Sequence, residues 1–107
     1  MQVRGGMNEL MRQAARMQRK IEQLKDAIKD QEHVAGAAAD KVKVTATCDG
    51  KITRIEVDPA FLQQEGLDLV CDAIAAAANS ALTAADKAVE DEVAKITGGV
   101  KIPNLTG

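Results

Sequence analysis

The chain has 107 residues, enough for one compact domain, with fourteen Lys and Arg against sixteen Asp and Glu for a net charge of −2. Apolar residues make up 46%, much of it alanine, and Phe61 is the only aromatic. Small side chains bury little surface, so the composition favours association with a second chain. The lack of rings excludes a base-stacking platform for single strands, and the overall acidity argues against a general polyanion binder.

Residues 1–6 read as a flexible lead-in through Gly5 and Gly6, with Asn8 a candidate N-cap. Met7, Leu10, Ala14, Met17, Ile21, Leu24 and Ile28 then recur at alternating spacings of three and four. This is an a/d seam, and it predicts a helix over residues 7–31 that needs another helix against it. The segment from Val34 to Asp40 is small and glycine-bearing, an extended piece or a loop.

From Lys41 to Cys48 the period changes to two. Val42, Val44, Ala46 and Cys48 fall on one face, and Lys41, Lys43, Thr45 and Thr47 on the other. Asp49-Gly50 predicts a type I′ hairpin turn. The return strand, Lys51 to Val57, places Thr53, Ile55 and Val57 on one face and Arg54 and Glu56 on the other, and Asp58-Pro59 ends it. A single turn over Ala60–Gln64 precedes Gly66. A long helix over residues 67–97 follows, its stripe running Leu67, Val70, Cys71, Ile74, Ala77, Ala78, Ala81, Ala85, Ala88, Val89, Val93 and Ile96. Gly98-Gly99 caps it, and residues 98–107 read as an extended tail. The fold class is α+β: long helix, short antiparallel sheet (hairpin or three-stranded meander), long helix. Each long helix spans about 40 Å, too long for the sheet to cover, so their ends should project as arms.

No catalytic constellation, cofactor loop or metal site is expected. His33 has no partner at a recognisable spacing, and Cys48 and Cys71, 23 positions apart without a Cys-x-x-Cys, read as free small apolar residues or, less simply, a disulfide. Residues 1–7 lack the apolar core of a secretory signal, and no apolar run approaches membrane-span length. An enzyme acting on a small molecule and a membrane protein are both disfavoured, and the expected location is cytoplasmic.

The charge is unevenly spread. Residues 1–30 carry seven basic and four acidic side chains, a net of +3; residues 31–107 carry seven and twelve, a net of −5. Arg12, Arg16 and Arg19, with Lys20 at the edge, share the side of the first helix opposite its seam, and no carboxylate lies between Glu9 and Glu22. Arginine forks suit phosphate. An ordinary solvated helix face carries such charges too.

Gly5-Gly6-Met7-Asn8-Glu9-Leu10-Met11-Arg12-Gln13-Ala14, continuing through Met17-Gln18, resembles the opening of the YbaB/EbfC family of bacterial nucleoid-associated proteins. Lys41-Val42-Lys43-Val44-Thr45, Gly50, Ile55-Glu56-Val57-Asp58-Pro59, the run Ala75 to Asn79, and Thr97-Gly98-Gly99-Val100-Lys101-Ile102-Pro103 resemble it in the same order. Departures are Ala37-Ala38-Ala39-Asp40 in place of a glycine-rich link, Ser80 after Asn79, and Asn104 after Pro103. The resemblance implies an intertwined homodimer whose sheets join centrally and whose paired helices project like tweezer arms. It implies binding of double-stranded DNA with weak or broad sequence preference, in nucleoid organisation and gene regulation.

Carried onto this chain, the expected DNA contacts are Arg12, Arg16, Arg19 and Lys20, helped by Arg4, Lys95 and Lys101 near the arm ends. The expected dimer interface draws on Leu10, Met17, Ile21, Val42, Val44, Ile55, Val57 and Ile74. The alternative is a coiled-coil adapter that holds another protein, kept open by six carboxylates against two lysines between Asp68 and Lys95.

Overall fold

A computed structural model describes the backbone of residues 2–98 and the side chains of residues 6–98. The elements are α1 (Gln2–Ile28), β1 (Glu32–Ala37), β2 (Val42–Thr47), β3 (Ile52–Val57), α2 (Pro59–Glu65) and α3 (Leu67–Thr97). The strands form one antiparallel meander in the order β1-β2-β3. The tail and Lys101 lie outside the described residues.

The core follows from the alternation in β2. Val42, Val44 and Ala46 have no exposed surface and pack on Ala77 and Ala81 of α3, themselves fully covered. Alanine at these helix positions brings α3 close to the sheet. Ala35 and Ala37 of β1, Val57 of β3, Phe61 of α2, and Ala73, Ile74, Ala78 and Leu82 of α3 surround that centre.

Several local expectations are revised. The helix begins at Gln2, so Gly5 and Gly6 are helical and Asn8 lies inside α1 instead of capping it. The strong helix formers that follow carry the helix back through two glycines, each costing about 1 kcal/mol relative to alanine. At the other end α1 stops at Ile28, where the Gln31 N–H donates to the Ile28 carbonyl at 2.9 Å, and the chain enters β1 at Glu32. Residues 32–37 are therefore a third strand, with His33, Ala35 and Ala37 turned toward α3 and Val34 left 61% exposed. The glycine and alanines that concealed this strand are what its packing requires. A Cβ on Gly36 would collide with the Asp40 carboxylate.

The β1–β2 link is unusual. Ala38, Ala39 and Asp40 all adopt positive φ, at 53°, 55° and 65°. Three consecutive non-glycine residues in the left-handed region store backbone strain. The β2–β3 turn is not type I′, because only Gly50 has positive φ (83°). The Gly50 N–H donates to the Thr47 carbonyl at 2.9 Å and the Thr47 N–H to the Lys51 carbonyl at 2.8 Å. This is a three-residue loop with glycine in the left-handed position. Between Thr45/Ala46 the register shifts, so Ile52 faces Ala46 and Arg54 faces Thr45. Thr53 is the extra residue, and its hydroxyl donates to Glu32 of β1 at 3.4 Å, contrary to its expected place beside Ile55 and Val57.

α2 is capped by Asp58, whose carboxylate accepts from the Ala60 N–H at 2.9 Å, with Pro59 in the first turn. α3 has the expected bounds, and Gly98 ends it in the left-handed conformation at φ 66°. By length and composition α3 is apolar enough to cross a membrane, against the sequence expectation. Its apolarity comes from alanines such as Ala77 and Ala81 that close onto the sheet.

The radius of gyration is 20.0 Å and the long dimension 75 Å. A compact domain of this length has a radius near about 13 Å. The excess comes from α1, which packs antiparallel to the last turns of α3 and then continues alone. Its root lies against the sheet, where the Asp49 N–H donates to the Lys29 carbonyl at 3.1 Å and the Cys48 thiol lies 3.8 Å from the Ala85 carbonyl. Ile21 is fully buried part-way out. Further out, Gln13, Arg16, Met17 and Lys20 surround Ile96. There α3 stops, and α1 runs on for about three turns.

Candidate nucleic-acid interface

The arm carries the cationic side chains seen in the sequence. Arg12, Arg16, Arg19 and Lys20 are all exposed on α1. The axial span from Arg12 to Lys20 is about 12 Å at 1.5 Å per residue. α1 holds them along an exposed side of the helix, whereas the seam side turns Ile21 inward.

Two features of this face were not read from the sequence. The first is that Glu9 neutralises part of it. Its carboxylate lies 3.6 Å from the Arg12 guanidinium and accepts a hydrogen bond from Arg16 at 3.3 Å. The i, i+3 spacing of Glu9 and Arg12 was the available signal. The second is that Arg16 and Lys20 do not lie wholly opposite the seam. With Gln13, Met17 and Ile96 they line a cleft of about 300 Å³ where α3 ends. The cleft arises from the different lengths of the two helices, which no local pattern discloses. Among the described residues, Arg19 and Lys20 make no ion pair.

The helper residues separate. Lys95 is on the last turn of α3, exposed and 3.0 Å from Glu92. Arg4 lies on the helical backbone of α1, with its side chain outside the described residues, as is Lys101.

The residues expected between subunits divide by burial. Ile21, Val42 and Val44 have no exposed surface in a single chain. Met17, Val57 and Ile74 are half-buried, the latter two against that core. Leu10 and Ile55 are open, 65% and 50% exposed. Ile55 is open because α3 lies over β1 and β2, leaving the inner face of β3 with Ile52 and Ile55 uncovered. Leu62, Leu67 and Leu69 add further exposed apolar surface on α2 and α3, and Met7 and Met11 accompany Leu10 on the arm.

Away from the arm, His33 does have a neighbour. Its Nε2 is 3.6 Å from the Cys48 sulfur, which also lies 3.8 Å from Gln31 Oε1. The two meet because His33 and Ala46 pair across β1 and β2, placing Cys48 close by. Burial raises the Cys48 thiol pKa, helped by the negative charges of Asp49 and Asp86. The Thr47 hydroxyl, donating to Asp49, holds that carboxyl below its ordinary value, with Lys51 adding to the effect. Both cysteines are free thiols, Cys71 exposed. Among the described residues no group of three His, Cys, Asp or Glu could hold a metal.

A three-stranded meander roofed by one long helix, with a second helix projecting as a cationic arm, defines the protein as an α+β chain. Comparison with known proteins makes the class specific. The profile of the YbaB/EbfC DNA-binding family matches residues 4–100. A nucleoid-associated protein of Clostridium novyi (strain NT) is 34% identical over 103 residues, covering 94% of this chain and 90% of the relative. A nucleoid-associated protein of Alkaliphilus metalliredigens (strain QYMF) is 32% identical over 99 residues, covering 92% and 87%. The crystal structure of an uncharacterised Helicobacter pylori protein shares the fold, with a TM-score of 0.66 at 17% identity over 82% of this chain and 92% of that one. The chain belongs to the YbaB/EbfC DNA-binding family.

Proposed function

We propose that the protein is a nucleoid-associated homodimer in the bacterial cytoplasm that holds duplex DNA along its α1 arms with weak or broad sequence preference, and so contributes to nucleoid organisation and gene regulation. The observation that carries the reading is the exposed row of Arg12, Arg16, Arg19 and Lys20 on α1. Contacts from such side chains go to phosphates and fix position without reading bases. Family membership and the nucleoid-associated relatives support DNA as the partner.

Dimer formation draws support from surface. The single chain exposes 7696 Å², against about 5,700 Å² for a compact monomer of this mass. Ile52 and Ile55 on the uncovered face of β3 supply a place for a second copy, and the β3 edge has unpaired backbone groups that a second sheet would satisfy. Two copies would double the cationic rows.

Titration of a labelled duplex against the purified chain at several salt concentrations tests the reading. If four to eight phosphates are neutralised, log K falls against log salt with a slope near about −4 to −7. A salt-independent affinity would overturn phosphate recognition, and sedimentation as a monomer at binding concentrations would remove the dimer.

A further inference from the structure

We propose that Glu9 is a resident competitor for the phosphates, which holds Arg12 and Arg16 and so sets how tightly, and up to what salt concentration, the arm takes DNA. The inference rests on the reading of α1 as the DNA-binding surface. Glu9 Oε2 is 3.6 Å from Arg12 Nη1 and Glu9 Oε1 is 3.3 Å from Arg16 Nη2. One carboxylate therefore spans two guanidiniums three and seven positions along the same helix.

Carboxylate and phosphate draw on the same guanidinium donors, so Glu9, ion-paired with Arg12 and accepting one hydrogen bond from Arg16, competes with a phosphate for both side chains. The side chains of Glu9, Arg12 and Arg16 are 51%, 71% and 54% exposed. Pairs this open are weak and exchange with a competing anion. The cationic face thus has two halves. Arg19 and Lys20, unpaired among the described residues, are open to a phosphate from the start. Arg12 and Arg16 engage fully only as Glu9 yields, and the displaced carboxylate then stands near a polyanion that repels it. The consequence is a lower affinity and a shallower salt dependence than four cations per arm would give. A protein that must hold DNA loosely at many sites gains exchangeability from such a contact.

The test compares the full-length wild-type chain with Glu9→Gln and Asp26→Asn on one labelled duplex over a range of salt. Asp26 pairs with Lys29 at 3.4 Å on the same helix. Its replacement removes the same charge and the same kind of pair about 26 Å along α1. Glu9→Gln is expected to tighten binding about three- to tenfold at low salt and to steepen the slope by about one per arm, with Asp26→Asn within about twofold of wild type. Glu9→Gln binding like wild type, like Asp26→Asn, or more weakly, while wild type binds in a salt-dependent way, overturns the role of Glu9 and leaves the interface standing. Absence of salt-dependent binding by wild type itself overturns the reading beneath it. Circular dichroism of the variants establishes that α1 is intact in each case.

Discussion

The sheet end and the arm are built on opposite terms. At the sheet end Val42, Val44, Ala46, Ala77 and Ala81 have no exposed surface, whereas on the arm Met7, Leu10 and Met11 are 58%, 65% and 67% exposed. The two regions lie in a single chain only 20 Å across at its second-largest dimension. Stability is concentrated where α3 closes over β1 and β2, and the charged surface sits where almost nothing is buried. Substitutions on the arm should therefore change binding at little cost in stability, and substitutions at the sheet or the arm root should do the reverse.

The sharpest way to break this contrast is reversal of Arg12, Arg16 and Arg19 to Glu together. Three side chains change sign in each chain, a shift of six charge units, so DNA affinity should fall more than about a hundredfold. The thermal midpoint should stay near that of wild type, because exposed surface substitutions rarely shift stability beyond about 0.5 kcal/mol. A mobility shift paired with a melting curve reads both. Normal DNA binding by this variant would place the interface elsewhere.

Next in size is Ile21→Ala, part-way along the arm, where a fully buried side chain lies on the stretch of α1 that packs on α3. Loss of about 2–5 kcal/mol is expected in denaturant unfolding. Faster amide exchange in α1 should accompany it, with the sheet protected as before. A loss spread equally over the sheet would mean that arm and sheet are one cooperative unit.

A smaller effect concerns the left-handed link at Ala38, Ala39 and Asp40. Ala39→Gly should stabilise the fold by about 0.5–1 kcal/mol, because relief of a left-handed alanine outweighs the entropy that glycine loses on folding. A lower melting temperature would show that the alanine methyl makes a contact worth more than the strain.

The smallest effect is kinetic. Cys71 is exposed, whereas Cys48 is half-buried with its thiol pKa raised by burial and by Asp49 and Asp86. Since the thiolate is the reactive form, alkylation near neutral pH followed by mass spectrometry should label Cys71 first and Cys48 more slowly. Equal rates would mean that the joint between the arm root and the sheet opens readily.

Much of this was legible in local patterns. The three-and-four spacing of the seam gives α1, the alternation from Val42 to Cys48 gives β2 and its inner face, and Gly66 and Gly98 bound α3. β1 was legible only as one of two options, an extended piece or a loop, because His33-Val34-Ala35-Gly36-Ala37 has too little apolar contrast to show a period; α3 and β2 make it a strand by packing on Ala35 and Ala37. The basic row was visible as residues, but its partial neutralisation by Glu9 and its border on the cleft at Ile96 were not. The burial of Val42, Val44 and Ile21 within a single chain was not legible either, because it depends on how closely α3 lies on the sheet and on α1.

By itself the sequence determined the kinds of element, the sign of charge on each, and the family, since these depend on residue order along short stretches. Only the tertiary structure decided which apolar side chains are core and which stay open, where α1 outruns α3, and which carboxylate stands beside which arginine. Those outcomes depend on distances between segments far apart in the chain, and the lengths of two helices measured against each other set them.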